Sequence, residues 1–169
     1  MNHSYFTSLL SQNAKRIEAM ATGISGEQAR WKSDPNSWSI LEVINHLYDE
    51  ERKDFRIRLD IILHHPEGKW PPIDPEGWAV SQKYNERDLE SSLENFIKER
   101  QTSLKWLDSL GEVDWDRAYT AQFGSISSGD MFTSWATHDQ LHLRQLIELH
   151  RSYTELQANP YQIEYAGLW

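Results

Sequence analysis

Four stretches of the chain repeat their apolar residues every three or four positions, the spacing of one face of an α-helix. They cover approximately residues 3–21, 39–64, 86–110 and 127–153. No segment shows a convincing strand pattern of alternating apolar and polar residues. Because each amphipathic helix must bury its apolar face against a partner, the pattern predicts an all-α protein with the architecture of a four-helix bundle.

The second of these helices has the clearest beginning. Residues 39–42 form a capping box, in which the Ser39 hydroxyl accepts a hydrogen bond from the backbone N–H of Glu42. Trp38 before the cap and Val43 after it can form a hydrophobic staple. The apolar face then continues to about residue 64, which predicts a helix about 39 Å long at 1.5 Å per residue.

Proline and glycine interrupt the helical pattern between the second and third helices. Residues 65–85 contain four Pro and two Gly, so we expect no regular helix there. A connection of this length crosses the fold or covers a site, and it leaves the order of the helices around the bundle open. Residues 112–127 form a second irregular connection, and an extended polar and aromatic C-terminal tail begins near Asn159.

Length and charge restrict the class of protein further. A chain of 169 residues is expected to form a single domain, residues 1–169. The formal net charge of −9 opposes binding to nucleic acid, because that affinity depends on neutralising phosphates. No stretch approaches 18 apolar residues, and the N-terminus lacks the features of a signal peptide. We therefore expect no membrane association and a cytoplasmic location.

Two amino-acid counts bear on a possible site. The chain has no Cys, which excludes disulfides, zinc–thiolate sites, iron–sulfur clusters and a cysteine nucleophile. It has eight Trp, and an excess of this large amphipathic residue indicates pocket walls, interfaces or a thick bundle core. Trp78, Trp135 and Tyr153 are the candidates for the wall of an aromatic pocket.

Two histidines of the fourth helix lie one turn apart. His138 and His142 share a face with Met131, Trp135 and Leu146, which is the predicted buried stripe of that helix. Two imidazoles on an inward face supply half of a metal site. They can equally be neutral core histidines that bond to a nearby carbonyl or hydroxyl group.

His46 is the candidate third ligand, since it lies at the edge of the apolar face of the second helix. Three neutral imidazoles projecting into a bundle would bind Zn²⁺, Ni²⁺ or Fe²⁺ and leave a coordination position open. Glu50 lies one turn from His46 and could be an outer-shell acceptor, a fourth ligand or a general base. We expect Asp54 to pair with an arginine, and Asp139 could orient a histidine.

Three segments together resemble a known family. Residues 38–47, WSILEVINHL, resemble the second-helix signature of the DinB-like superfamily of small metalloproteins. Residues 138–145, HDQLHLRQ, resemble its fourth-helix signature, His-x-x-x-His followed three residues later by Gln. The tail at 165–169, YAGLW, is similar to the closing segment of many members.

The resemblance implies a four-helix bundle with a long second connection, often assembled as a homodimer. It implies a divalent metal held by three residues, which correspond here to His46, His138 and His142. Characterised members join bacillithiol, mycothiol or a similar low-molecular-weight thiol to electrophiles, or are thiol-dependent isomerases. Function resides in the site rather than in the fold, so the resemblance implies the metal and leaves the reaction of this chain open.

Three functions remain open at this stage. The first is a metal-dependent S-transferase, in which the metal generates a thiolate from a thiol cosubstrate that attacks a small electrophile. The second is a metal-dependent hydrolase, in which bound water is the nucleophile and Glu50 is the candidate base. The third is a metal-binding stress-response module without turnover, whose tail and long connections contact other proteins.

Overall fold

The computed structural model describes residues 1–121 and 124–167. Four long helical rods form its body: α1 (His3–Ala21), α3 (Ile40–Glu50) continued by α4 (Arg56–His64), α6 (Leu89–Ser109) and α7 (Ser128–Ala158). The predicted four-helix bundle is confirmed, and the rods lie within a few residues of the predicted helices. Within the described ranges, no helix has the length and apolar character needed to cross a membrane.

The second rod begins at the predicted capping box. The backbone N–H of Glu42 donates to Ser39 Oγ at 3.1 Å, and the Glu42 carboxylate accepts from the Ser39 N–H at 2.8 Å. A π-helical turn, Glu51–Phe55, joins α3 to α4. A π turn inserts an extra residue, so the side chains beyond it face directions that a regular helical period does not predict. Glu51 and Asp54 are both buried within this turn.

The order of the rods around the bundle is set by their packing. α1 packs against α6 and α7, and α3 packs against the same two helices. The first and second rods are therefore diagonal, each held between α6 and α7. This arrangement settles the helix order that the long connection left open.

The connections contain short elements that the sequence analysis did not predict. Helix α2 (Gly26–Arg30) precedes the second rod, and α5 (Pro75–Ser81) lies within the 65–85 connection, where no regular helix was expected. That expectation was wrong because Pro75 occupies the first turn, where a missing N–H costs no hydrogen bond. The Asp74 side chain caps this helix by accepting from the Gly77 N–H. A 3₁₀ turn, Tyr84–Glu86, follows.

A small β-hairpin is the other addition. Strands β1 (Ala118–Ala121) and β2 (Gly124–Ser127) pair antiparallel immediately before α7. Strands of four residues are too short to produce a clear alternation in the sequence, so no strand was expected. The tail contains a 3₁₀ turn, Glu164–Ala166. Leu168 and Trp169, the last two residues of the tail motif, lie outside the described residues.

The buried interior consists of two apolar clusters. One contains residues from every rod, including Leu10, Leu59, Leu107 and Trp135. The other cluster also contains residues from every rod, including Ile17, Ile44, Phe96 and Leu146. Along each rod, buried polar residues separate the two clusters, and we call these residues the polar layer: Asn13, Asp49, Glu50, Glu51, Asp54, Arg100, Ser103 and Asp139. The candidate site lies at this layer.

Candidate metal centre

The three predicted histidines meet between α3 and α7. His46 Nε2 lies 3.3 Å from His138 Nε2, which in turn lies 3.1 Å from His142 Nε2. Ligand atoms of the three side chains all fall within 4.8 Å of one another. His46 is buried, and the other two histidines are partly exposed, so the group borders on solvent. We call these three residues the histidine centre.

The spacing of these nitrogens suits a metal ion. Two nitrogens bound tetrahedrally to Zn²⁺ at about 2.0–2.1 Å stand about 3.3 Å apart. Burial lowers the pKa of His46 to about 2, and the neighbouring imidazoles reinforce this effect. Burial, with the charges of His142 and Arg100, lowers the pKa of His138 to about 3. The rings are therefore neutral near pH 7, which is the form that binds metals.

Neighbouring side chains fix the orientation of the rings. His142 Nδ1 is 2.8 Å from the Gln145 side-chain oxygen, so the ring donates its Nδ1 proton there and keeps its Nε2 lone pair free. The Trp38 indole lies parallel to the His142 ring, with centroids 6.4 Å apart. The same indole meets His46 edge-on at 4.7 Å. Trp38 therefore contacts histidines from both helices.

Glu50 lies beside the histidine centre, with its Oε1 4.0 Å from His46 Nδ1. Both atoms are buried and have no hydrogen-bond partner in the described structure. Burial and the nearby Asp54 carboxylate raise the pKa of Glu50 above its ordinary value. Asp54 pairs with Arg58 at 2.7 Å, as expected. The unpartnered Glu50 oxygen therefore lies beside the Nδ1 atom of His46, while the Nε2 atom of the same ring faces His138.

Asp139 does not orient a histidine as its position suggested. Its two oxygens accept hydrogen bonds from Arg100 at 2.7 and 2.8 Å, and Arg100 also binds both oxygens of Glu51 at 2.8 Å. Trp135 Nε1 donates to Glu51 at 2.9 Å, and Leu10 O accepts from Arg100 at 2.9 Å. We call Arg100, Glu51, Asp139 and Trp135 the Arg100 cluster.

The Arg100 cluster was missed by sequence reasoning, although a signal for it exists. Arg100 and Ser103 lie on the apolar face of α6 between Phe96 and Leu107, where a solvated charge is not expected. The cluster also revises the role of Trp135. Its side chain is almost fully buried and bonded to a carboxylate, so it is not the wall of an open pocket.

A cleft of about 510 Å³ opens beside the histidine centre. Its wall combines the loop before α3 with the second half of α7, and includes Trp38, His142 and Gln145. Trp78 and Tyr153, the other expected pocket walls, are not among the residues that line it. Trp78 lies under the Lys53 ammonium at 4.7 Å, and Tyr153 packs against Trp31 at 5.5 Å.

Comparisons with known proteins agree with this fold. The structure is similar to YfiT from Bacillus subtilis, which is described as "a probable metal-dependent hydrolase with an unusual four-helix bundle topology". The TM-score is 0.79 at 16% sequence identity, over 90% of this chain and 87% of that chain. No curated protein matches the sequence. A family model for the DinB superfamily matches residues 9–146, and the chain belongs to that superfamily.

Proposed function

We propose that the chain is a divalent-metal-dependent enzyme whose protein ligands are His46, His138 and His142. The observation that carries this proposal is the close approach of their three Nε2 atoms at the border between the polar layer and solvent. Three protein ligands leave a coordination position open, and an open position is typical of catalytic rather than structural sites. Imidazole donors suit Zn²⁺, Ni²⁺ or Fe²⁺.

The metal, when bound, would lower the pKa of a water or thiol molecule in the open position. The residues around it have separate tasks. Gln145 keeps His142 in the tautomer with a free Nε2, and Trp38 shields two of the rings from water. Glu50 is the nearby group that holds or releases a proton, since its Oε1 is 4.0 Å from His46 and unpartnered.

Thiol transfer is the first candidate reaction. The cosubstrate sulfur loses its proton and forms a bond to an electrophilic carbon, and the leaving group departs with its bonding electron pair. The chain has no Cys, so the sulfur must come from a low-molecular-weight thiol. The motif around His46 and the His138–His142 pair supports this reaction through the family resemblance alone.

Hydrolysis is the second candidate, and two observations favour it. The fold is similar to that of YfiT, whose description names a probable metal-dependent hydrolase. Glu50, the candidate base, also offers a buried and unpartnered carboxylate oxygen 4.0 Å from His46 Nδ1. Water would bond to a carbonyl carbon and the alcohol or amine would leave with a proton, so no thiol is required.

The test begins with the metal content of untagged protein, followed by two assays on metal-loaded samples. The first measures conjugation of chlorobimane with cysteine, bacillithiol and mycothiol, and the second measures ester and amide cleavage without thiol. Conjugation that His142→Ala abolishes supports the transferase, and thiol-free cleavage that the same variant abolishes supports the hydrolase. Metal content with neither activity would indicate a binding module. Protein that refuses to take up metal would contradict all three functions.

The resemblance also supports a homodimer. Sedimentation equilibrium measures this directly, since a dimer has twice the 19.9 kDa mass of the chain. A monomer at all accessible concentrations would contradict the expectation.

A further inference from the structure

The cleft beside the histidine centre shares its wall with one candidate ligand, His142. His142 and Gln145 both line it, and they are joined by the 2.8 Å hydrogen bond that fixes the His142 ring. Trp38 lines it too and packs against the rings of His46 and His142. A molecule in the cleft therefore contacts His142 of the centre directly, whereas His46 and His138 are not among the residues that line the cleft.

The charge of the cleft is one-sided. Glu148 is the only charged side chain among the described residues that line it, and none of them is Lys or Arg. Ser37, also in the wall, donates its hydroxyl hydrogen to the Asp34 carboxylate just outside. An anionic group that stays in the cleft would lie near two carboxylates with no Lys or Arg among the described lining residues, and the net charge of −9 adds to the repulsion. A group that reaches a bound metal would instead be attracted by the charge of the ion.

Glu148 pairs with Arg144, which lies one turn earlier on α7, at 3.5 Å. Its side chain is 73% exposed and that of Glu148 is 51% exposed. Exposed ion pairs of this kind are weak because water and salt screen them. Arg144 therefore neutralises Glu148 only weakly, and a positive group that displaces water from the cleft beside Glu148 would be screened less than the exposed Arg144 is.

The remaining lining groups accept or donate hydrogen bonds without carrying charge. Asn36, Ser33 and Ser152 supply polar groups to the wall, and Leu149 and Trp38 supply apolar surface. Such a wall suits a molecule with hydroxyl, amide or amine groups next to an apolar part.

We propose that this cleft admits the substrate to the metal, and that it selects neutral or amine-bearing molecules over carboxylates and phosphates. The inference rests on the proposed metal site and specifies the substrate class of that site. It applies equally to an electrophile, a thiol cosubstrate or a hydrolysable amide. A thiol that carries several carboxylates would be disfavoured.

A matched set of three metal-binding probes tests this selection. The probes are hydroxamic acids of equal chain length whose far end carries an ammonium, a primary amide or a carboxylate. Their Kd values are measured by calorimetry on protein loaded with Co²⁺, and the visible spectrum of the ion reports whether the hydroxamate reaches the metal. We expect the ammonium probe to bind about tenfold more tightly than the carboxylate probe, with the amide between them.

Two variants of α7 distinguish the effect of the Glu148 charge in the cleft from the effect of the overall charge of the protein. Glu148→Gln is expected to reduce the ratio between the ammonium and carboxylate probes to about threefold. Glu155→Gln removes the same charge from the same helix outside the cleft, where Glu155 pairs with Arg151 at 3.2 Å, and should leave the ratio unchanged. Equal Kd values for the three probes, or equal effects of the two variants, would overturn the selection while leaving the metal site intact. Spectra that no probe alters would show that the cleft does not lead to the metal and would overturn the proposal, whereas protein that binds no Co²⁺ would overturn the metal site itself.

Discussion

The histidine centre and the Arg100 cluster are neighbours in the chain, but they differ in how completely their polar atoms are bonded. Glu50 and Glu51 are consecutive, and so are His138 and Asp139. Glu50 lies beside the histidine centre and His138 belongs to it, whereas Glu51 and Asp139 belong to the Arg100 cluster. In the Arg100 cluster, every side-chain nitrogen and oxygen has a hydrogen-bond partner. At the histidine centre, His46 Nδ1 and Glu50 Oε1 have none among the described residues.

This difference separates two uses of buried polar groups. A buried polar atom without a partner costs about 1–3 kcal/mol, and folded proteins contain few of them. A completely bonded cluster holds the helices in place, whereas unpartnered atoms beside converging nitrogens remain available to a ligand or a proton. We therefore expect substitutions in the Arg100 cluster to affect stability and substitutions at the histidine centre to affect metal binding.

The largest expected effect is on the free energy of unfolding of Arg100→Met. The substitution leaves Glu51 and Asp139 buried without a cation, which should lower this free energy by about 3–5 kcal/mol. Urea unfolding measures it, with Arg144→Met as the control, because the Arg144 ion pair is exposed and should contribute less than about 1 kcal/mol. Equal losses in the two variants would contradict a structural role for the cluster.

The next effect concerns stabilisation by metal. Zn²⁺ at a hundredfold excess over its Kd should raise the free energy of unfolding of the wild type by about 2.7 kcal/mol. His138→Ala should lose this increase, whereas His64→Ala should keep it, since His64 is exposed and pairs with Asp60. Thermal unfolding with and without metal measures the shift. An undiminished shift in His138→Ala would show that the metal binds elsewhere.

A smaller effect is expected for Gln145, which contacts a candidate ligand but not the metal. Gln145→Leu removes the acceptor that holds His142 Nδ1, so metal affinity should fall about 10–100-fold. Gln145→Glu retains an oxygen there and should restore most of the affinity. Competition with a chelator measures both values. If Gln145→Leu binds the metal as tightly as the wild type does, Gln145 does not position His142.

The smallest effect concerns Asp49, the first of three consecutive buried acids. Burial acts to raise the pKa of Asp49, but hydrogen bonds from Lys53, Tyr84 and Arg52 outweigh it and lower this pKa. Its stabilisation is therefore present above the unfolded pKa of about 3.9 and is lost as pH falls through the lower folded value. Tyr84→Phe removes one of these bonds and should cost about 1 kcal/mol at pH 7.

Urea unfolding of Tyr84→Phe and the wild type between pH 7 and pH 3 tests this expectation. The difference between the two proteins should shrink at the acid end of this range, as the pH approaches the lowered pKa of Asp49 in the folded protein. A difference that stays constant with pH would mean that Tyr84 stabilises the protein by packing rather than through the charge of Asp49.

The long helices could be predicted because their apolar spacing and their caps are local. Residues 3–21 and the Ser39 cap agree with the structure, and the second rod ends at His64 as expected. The short α5 and the β-hairpin were not predicted, since elements of seven and four residues give almost no periodic signal. Helix α7 continues past the predicted end, to Ala158.

The histidine pair of the site could be predicted for the same reason. His138 and His142 are one helical turn apart, and that spacing is visible in the sequence alone. Arg100 could not be paired with its partners, because Glu51, Asp139 and Leu10 O lie on three other segments far apart in the chain. From the sequence alone, a charged residue on a helix is predicted to face solvent. Only the packing of the helices shows that it is buried.

The sequence by itself determined the four long helical segments and the inward face of the His138–His142 pair, and the absence of Cys excluded thiolate ligands. Those properties depend on spacings within one segment and on composition. Only the tertiary structure decided that α1 and the second rod are diagonal and that Asp139 binds Arg100 rather than a histidine. Only it placed Glu148 in the cleft beside His142. These facts depend on distances between segments, which side-chain packing fixes and local periodicity does not encode.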